Sequence, residues 1–126
     1  MKKIIVFLTL FLTTYFVNAQ SRSKCENLAA NALYNSDYIK KLTKDWSQLI
    51  KENGGTGYGL QSNEADKGIY SFVMVQHYPD RDYNAVWLTV DVNNHVVFEE
   101  NMADPALNKP FKLKKADWAK LKNCNN

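Results

Sequence analysis

The sequence IYSFVMVQHY, residues 69–78, decides the fold, because its β-branched and aromatic residues favour a β-strand. Both alternating faces of this stretch carry apolar side chains, which predicts a strand covered on both sides. The two sets are Tyr70, Phe72 and Met74 on one face and Ile69, Val73 and Val75 on the other. A turn is predicted over residues 79–82 and a second strand over residues 84–92, so the two strands are expected to be antiparallel neighbours.

A third strand is predicted over residues 96–100, and two registers are open for its pairing with residues 84–92. A two-residue turn at positions 93–94 would align Val97 with the apolar face of the second strand. A three-residue loop at positions 93–95 would align Val96 and Phe98 with that face instead. The second register gives one uniformly apolar face and is the one we expect. That face consists of Val86, Leu88, Val90, Val92, Val96 and Phe98.

Helical periodicity lies on both sides of the strands. Residues 23–34 carry apolar side chains at i, i+3, i+4, i+7 and i+8, which predicts an amphipathic helix with Ser23 as its N-cap. A second helix is predicted from Ser36 or Asp37 to the glycines at positions 54–55. A short closing helix is predicted over residues 114–124, with Trp118, Leu121 and Cys124 turned inward.

Helices at both ends of a run of consecutive strands indicate an α+β domain. We therefore expect two N-terminal helices, a three- to four-stranded antiparallel meander and a short C-terminal helix. Residues 58–61 and residues 111–113 are two further short segments with strand character, and either would supply the fourth strand.

Residues 1–19 have the pattern of a secretory signal peptide that is removed after Ala19. The segment begins with a basic pair, continues with an apolar run of 14 residues and ends with small residues at the −3 and −1 sites. Such a run is too short for a membrane helix, which needs ~20 apolar residues. The expected mature chain, residues 20–126, is a single small domain that is secreted or periplasmic and not inserted into a membrane.

The charge of the mature chain argues against nucleic acid as a partner. The full sequence has 16 basic and 13 acidic side chains, and removal of Lys2 and Lys3 with the signal peptide lowers the net charge from +3 to +1. Proteins that bind nucleic acid or anionic membranes usually present a strongly basic face. A composition of 45% apolar and 13% aromatic residues indicates a folded core rather than disorder.

Cys25 and Cys124 are the two cysteines of the chain. An even number of cysteines in an exported domain predicts a disulfide, here between the first and last helices. Two isolated cysteines do not make the four-ligand set that zinc prefers. The polar residues 22–24 before Cys25 also argue against a lipid anchor.

Two motifs have part of the pattern of a ligand-binding loop. The glycines of GGTGYG, residues 54–59, follow a helix and lack the Gly-Lys-Ser/Thr of a phosphate-binding loop. Asp80, Asp82 and Asn84 have calcium-loop spacing, with Asp91 at the twelfth position, but Ala85 occupies the position where such a loop needs glycine. A helix stop and a hairpin turn explain the two motifs, so no cofactor and no metal are predicted.

No catalytic signature is present, so the chain is not expected to be an enzyme. His77 and His95 would form an acid–base pair only if the sheet brought them together. Glu99 and Glu100 are consecutive on a strand, so their side chains point to opposite faces. The serines lack the sequence contexts of a nucleophile, and paired cysteines are not thiolates.

The best candidate for recognition is an aromatic and basic patch at the turn between the first two strands. Tyr78 and Tyr83 flank this turn, Arg81 lies in it, and Trp87 falls on the polar face of the second strand. Tyrosine, tryptophan and arginine are the residues enriched at binding hot spots. An exposed Trp87 would favour this patch.

These observations favour an exported, non-catalytic binding module whose partner is another protein. The concrete form is an inhibitor or immunity-type protein that blocks a periplasmic or secreted hydrolase sterically. One alternative is a small secreted hydrolase or nuclease that uses His77 or His95 with a carboxylate. Another is a ligand-carrying or structural domain of the envelope, which a sizeable apolar cavity would favour.

Overall fold

The computed structural model describes residues 22–124 and shows an α+β domain, as predicted. The signal peptide predicted for residues 1–19 lies outside the described residues. Consecutive helices come first, a meander sheet follows, and a short helix ends the domain. The predicted order of helices and strands is therefore confirmed.

The N-terminal helices begin where the capping residues predict. Helix α1 spans Lys24–Asn35, and the Ser23 hydroxyl accepts a hydrogen bond from the backbone N–H of Glu26 at 3.2 Å. Helix α2 spans Asp37–Leu42 and is capped in the same way by Ser36. Helix α3 spans Trp46–Glu52.

The predicted second helix is therefore bent into two pieces, α2 and α3. At the bend, the Thr43 hydroxyl donates to the backbone carbonyl of Ile39 at 2.9 Å. A hydrogen bond of this kind, from a threonine side chain to the preceding helical turn, often bends a helix. The Trp46 N–H then bonds to the carbonyl of Thr43, which tightens the chain before α3 begins. Helix α4 spans Lys115–Lys122, as the closing periodicity predicts.

Five strands form one antiparallel sheet in the order of the sequence. They are β1 Gly57–Asp66, β2 Ile69–His77, β3 Asp82–Asp91, β4 Val96–Glu99 and β5 Lys109–Phe111. Residues 58–61 lie in the edge strand β1, whereas the segment 111–113 overlaps the other edge strand, β5, only at Phe111. The sheet therefore has one strand more than the three or four expected. Pro110 is compatible with its strand because β5 is an edge strand.

The register expected between β3 and β4 is wrong. Val97 pairs with Val90 and Glu99 with Leu88, while Phe98 pairs with Thr89 on the other face. This pairing is that of the two-residue alternative, although residues 92–95 lie between the two strands. The Asp91 carboxylate accepts from the backbone and side chain of Asn94 in this connection, at 3.0 and 2.7 Å. His95 completes the turn with a positive φ of 55°.

The hydrophobic core lies between the helices and one face of the sheet. Leu33 from α1, Phe72 from β2 and Leu88 from β3 are fully buried within it. Tyr38 stacks on Phe111 with ring centroids 4.2 Å apart, and its hydroxyl donates to the Glu99 carboxylate. This hydrogen bond explains how Glu99 is accommodated on the helix-facing side of the sheet.

A disulfide joins Cys25 in α1 to Cys124 after α4, with Cα atoms 5.7 Å apart, as the sequence predicts. The bridge links residues 99 positions apart and fastens the first helix to the last. Such a bond is consistent with an oxidising compartment outside the cytoplasm. Among residues 22–124, no helix has the length and apolar character needed to cross a membrane.

Candidate functional site

Three of the four predicted recognition residues lie together at the end of the β2–β3 hairpin. Tyr78, Arg81 and Tyr83 line an open hollow of about 470 Å³; we call these three residues the hairpin-end patch. Asn53, Gln76 and Asp80 complete the lining. Tyr83 is 57% exposed and Arg81 is exposed, so both side chains are accessible to a partner.

The turn that carries the patch is held by local hydrogen bonds. The Tyr78 N–H donates to the carbonyl of Arg81 at 3.0 Å, which closes the hairpin. The Tyr78 hydroxyl donates to the side-chain oxygen of Gln76 at 3.0 Å. The ring of Tyr78 is therefore fixed, while Arg81 and Tyr83 project beside it.

Gly55 positions Tyr78 from the neighbouring loop, which is a role that the sequence analysis missed. A Cβ atom at Gly55 would lie 2.3 Å from Cγ2 of Ile50, 2.8 Å from the carbonyl oxygen of His77 and 2.9 Å from Cε1 of Tyr78. Only glycine allows this close approach. Gly54 ends the helix, and a second glycine directly after it is the sequence signal for such close packing.

Trp87 is not part of the hairpin-end patch. Tyr83 pairs with Gln76, whereas Trp87 pairs with Val73, and these two partners alternate to opposite faces of β2. The four-residue patch expected from the sequence is therefore split between the two sides of the sheet. Trp87 is half-buried on the side opposite the core, next to Thr89.

Comparisons of this chain with protein-family models, curated proteins and solved structures find no match.

The two histidines lie at opposite ends of the sheet. His77 pairs with Asp82 at the start of β3, and His95 lies beyond Asp91, at its end. At about 3.3 Å per residue, the length of β3 separates them by roughly 30 Å. They do not form a common acid–base site. His77 alone has a carboxylate partner, since its Nδ1 lies 2.9 Å from Oδ1 of Asp82.

The acidic residues singled out by the sequence, Glu99 with Glu100 and Asp82 with Asp91, do not converge on one site. Glu99 accepts from Tyr38 on the helix side, and Glu100 accepts from Thr89 on the other face. Asp82 and Asp91, two members of the calcium-like spacing, occupy the two ends of β3. Within residues 22–124, no group of three or more acidic, histidine or cysteine side chains is placed to hold a metal ion.

A further hollow of about 400 Å³ lies beside α4, between its first turn and the β4–β5 edge. His95 stacks on Trp118 there, with ring centroids 4.1 Å apart, and Val96, Phe111 and Lys112 contribute to the lining. The hollow is open, and its lining includes the polar side chains of His95, Lys112 and Lys115. This arrangement gives the ligand-carrying hypothesis no specific support.

Proposed function

We propose that this chain is an exported, non-catalytic binding module that inhibits a periplasmic or secreted hydrolase sterically. The observation that carries the proposal is the hairpin-end patch, where Tyr78, Arg81 and Tyr83 surround one open hollow. Tyrosine and arginine contribute most at protein interfaces when they are centred in such a patch. A hairpin end that enters the cleft of an enzyme excludes substrate without any chemistry of its own.

Two further observations support a role in binding rather than catalysis. The backbone bond between Tyr78 and Arg81 and the packing of Gly55 fix the turn and the ring of Tyr78, so this part of the patch is organised before a partner arrives. Pre-organisation of this kind raises affinity because less conformational entropy is lost on binding. The disulfide stabilises the domain in the oxidising compartments where the proposed target acts.

A capture experiment tests this proposal. The oxidised chain from Gln20 onward is immobilised and exposed to envelope and culture-fluid proteins, and bound hydrolases are then assayed with and without the chain. We expect a captured hydrolase to lose activity in proportion to the added chain. The Arg81→Ala, Tyr83→Ala variant is expected to lose this inhibition, by roughly a hundredfold in affinity.

The matched control is Leu107→Ala, Lys109→Ala, which also removes one exposed apolar side chain and one exposed cation. This control is expected to inhibit as well as the parent chain. Equal inhibition by both variants would exclude the hairpin-end patch as the contact. A captured hydrolase that remains fully active would contradict steric inhibition.

The paired His77 and Asp82 favour one second candidate, a small hydrolase with a carboxylate-oriented histidine. The purified chain would then hydrolyse a substrate by itself, and His77→Ala would abolish the activity. Screening the parent chain and His77→Ala against nuclease and cell-wall substrates separates this candidate from inhibition. Hydrolysis lost in the variant would favour the enzyme.

A further inference from the structure

The side of the sheet opposite the helices presents exposed apolar side chains. We call this side the outer face. Two rows of paired residues and the neighbouring Trp87 form it: Ile69, Asp91 and Val96 in one row, and Ser71, Thr89 and Phe98 in the next. Ile69 is 42% and Val96 39% exposed. None of these residues belongs to the core cluster formed by the described residues.

Carboxylates surround this apolar surface. Glu64 pairs with Ser71 and Asp66 with Ile69, which places both acidic side chains on the outer face at the β1 edge. Asp91 lies in the row of Ile69, and Glu100 accepts a hydrogen bond from Thr89. The outer face is therefore acidic as well as partly apolar.

No strand contributes a cation to this side. Lys109 is the one lysine or arginine within the five strands. It pairs with Glu99, whose carboxylate meets Tyr38 on the helix side. Lys67, in the β1–β2 turn, lines a different hollow with Cys25 and Cys124. The carboxylates of the outer face thus have no lysine or arginine partner among the strand residues.

The cations are concentrated on the helices and the segment before α4. Exposed lysines lie on α2, α3 and α4 and between them, at Lys40, Lys41, Lys44, Lys51, Lys114, Lys115, Lys120 and Lys122. This region also carries the carboxylates of Asp37, Asp45, Glu52 and Asp117, so it is basic on balance, whereas the outer face is acidic. A basic molecule is attracted toward the outer face, and such steering raises the rate of association.

A polar hollow of about 440 Å³ lies within the outer face. Glu64, Asp66 and Glu100 contribute carboxylates to its lining, and Asn63, Ser71 and Thr89 contribute neutral polar groups. Ile69 forms an apolar wall. The hollow has the size and the hydrogen-bond acceptors to take the charged end of a lysine or arginine side chain. The apolar part of that side chain would pack on Ile69.

We propose that the outer face is the docking surface for a basic protein, with a lysine or arginine of that partner bound among Glu64, Asp66 and Glu100. Ile69, Val96 and Trp87 supply the apolar contact around this charge pair. The inference rests on the proposed function and specifies its partner: the hydrolase presents a cationic surface. Trp87 then acts in recognition on this face, apart from the hairpin-end patch.

Nuclear magnetic resonance titration tests the inference. The isotopically labelled, oxidised chain from Gln20 is titrated with lysozyme and with ribonuclease A as basic protein probes, and with acidic α-lactalbumin as the control probe. We expect saturable shifts of amides near Ser71, Trp87, Thr89 and Val96 with at least one basic probe. No such shifts are expected with α-lactalbumin.

Two variants with the same change in net charge locate the contact. Glu64→Gln, Asp66→Asn removes two carboxylates from the outer face and is expected to weaken binding roughly tenfold. Asp45→Asn, Glu52→Gln removes two exposed carboxylates from the α3 region and is expected to leave binding unchanged. Equal weakening by both variants, shifts spread over all faces, or no saturable shift with either basic probe would overturn the inference.

Assaying cell-wall hydrolysis by lysozyme in the same mixtures separates this inference from the proposed function. Shifts on the outer face without loss of hydrolysis would support the docking surface and count against steric inhibition. Loss of hydrolysis with shifts confined to Tyr78, Arg81 and Tyr83 would support inhibition and overturn the docking surface.

Discussion

The two faces of the sheet are made by alternate residues of the same strands, yet they differ in the exposure of their apolar side chains and in their charge. The helix side buries Phe72, Leu88 and Val97 under helices that a disulfide joins. The outer face leaves Ile69 and Val96 exposed among carboxylates. Val96 and Val97 are adjacent, but they are 39% and 2% exposed, respectively.

This difference indicates where stability and recognition reside. Burial of apolar surface provides most of the stabilising free energy of a small domain, so the helix side carries the fold. The exposed side chains of the outer face, such as Ile69 and Val96, and those of the hairpin end contribute little to stability and are accessible to a partner. Substitutions on the helix side are therefore expected to lower stability, whereas substitutions of exposed residues on the outer face and at the hairpin end are expected to lower binding.

The largest expected effect comes from the disulfide that closes the helix side. Replacing Cys25 and Cys124 with serine should lower the free energy of unfolding by ~4 kcal/mol, because the unfolded chain gains the freedom of a loop of about 100 residues. Urea denaturation of the parent and the double variant measures this loss. A matched control, Ala119→Ser on the exposed surface of α4, should change it by less than ~0.5 kcal/mol. A loss below ~1 kcal/mol on removal of the bridge would contradict its stabilising role.

The adjacent valines provide the sharpest comparison of the two faces. Val97→Ala should lower the free energy of unfolding by about 2 kcal/mol, because it leaves a cavity in the core. Val96→Ala should cost less than ~0.5 kcal/mol, because its side chain is exposed. Thermal and urea unfolding of the two variants check this order. Equal losses would show that the outer face is covered by other parts of the chain.

A smaller effect is expected at high pH, from Tyr38 on the helix side. Burial, followed by the hydrogen bond and the negative charge of Glu99, raises the pKa of Tyr38 from 10.0 to about 12. The folded state therefore keeps this proton in a pH range where the unfolded chain releases it. Its contribution to stability is complete below pH 10 and is lost as the pH rises toward 12.

Tyr38→Phe should therefore show a shallower loss of stability between pH 10 and pH 12 than the parent chain. Urea unfolding at intervals across this range measures the two slopes, with pH 8 as the reference. Parallel curves for the parent and the variant would contradict the raised pKa.

The smallest effect is expected at the hairpin end, where His77 and Asp82 form an exposed pair. Asp82→Asn should lower the free energy of unfolding by less than ~0.5 kcal/mol, because water screens the interaction. Urea unfolding at low and high salt measures this difference, which should disappear at high salt. A salt-independent loss above ~1 kcal/mol would show that the pair organises the turn.

The sequence predicts elements well where local chemistry determines them. Ser23 and Ser36 cap their helices as expected, and the cysteine count identifies the disulfide. The full length of β1 is missed because residues 61–66 are all exposed and show no apolar alternation. Its glycines at positions 57 and 59 also weaken the strand pattern.

The register of β4 and the division of the recognition patch depend on tertiary contacts. Both registers place valines on the core face, and the choice depends on Tyr38, which provides Glu99 with a hydrogen bond from another element. Trp87 and Tyr83 are four residues apart, so simple alternation places them on one side of a strand. An extra residue in β3, opposite Met74 and Val75, reverses that relation.

The most direct test of the division between the two faces is amide hydrogen exchange of the chain with and without a captured hydrolase. We expect new protection over residues 78–83 and around Ser71, Thr89 and Val96, and unchanged exchange in α2 and α3. New protection confined to α2 and α3, with none at the hairpin end or on the outer face, would contradict the account.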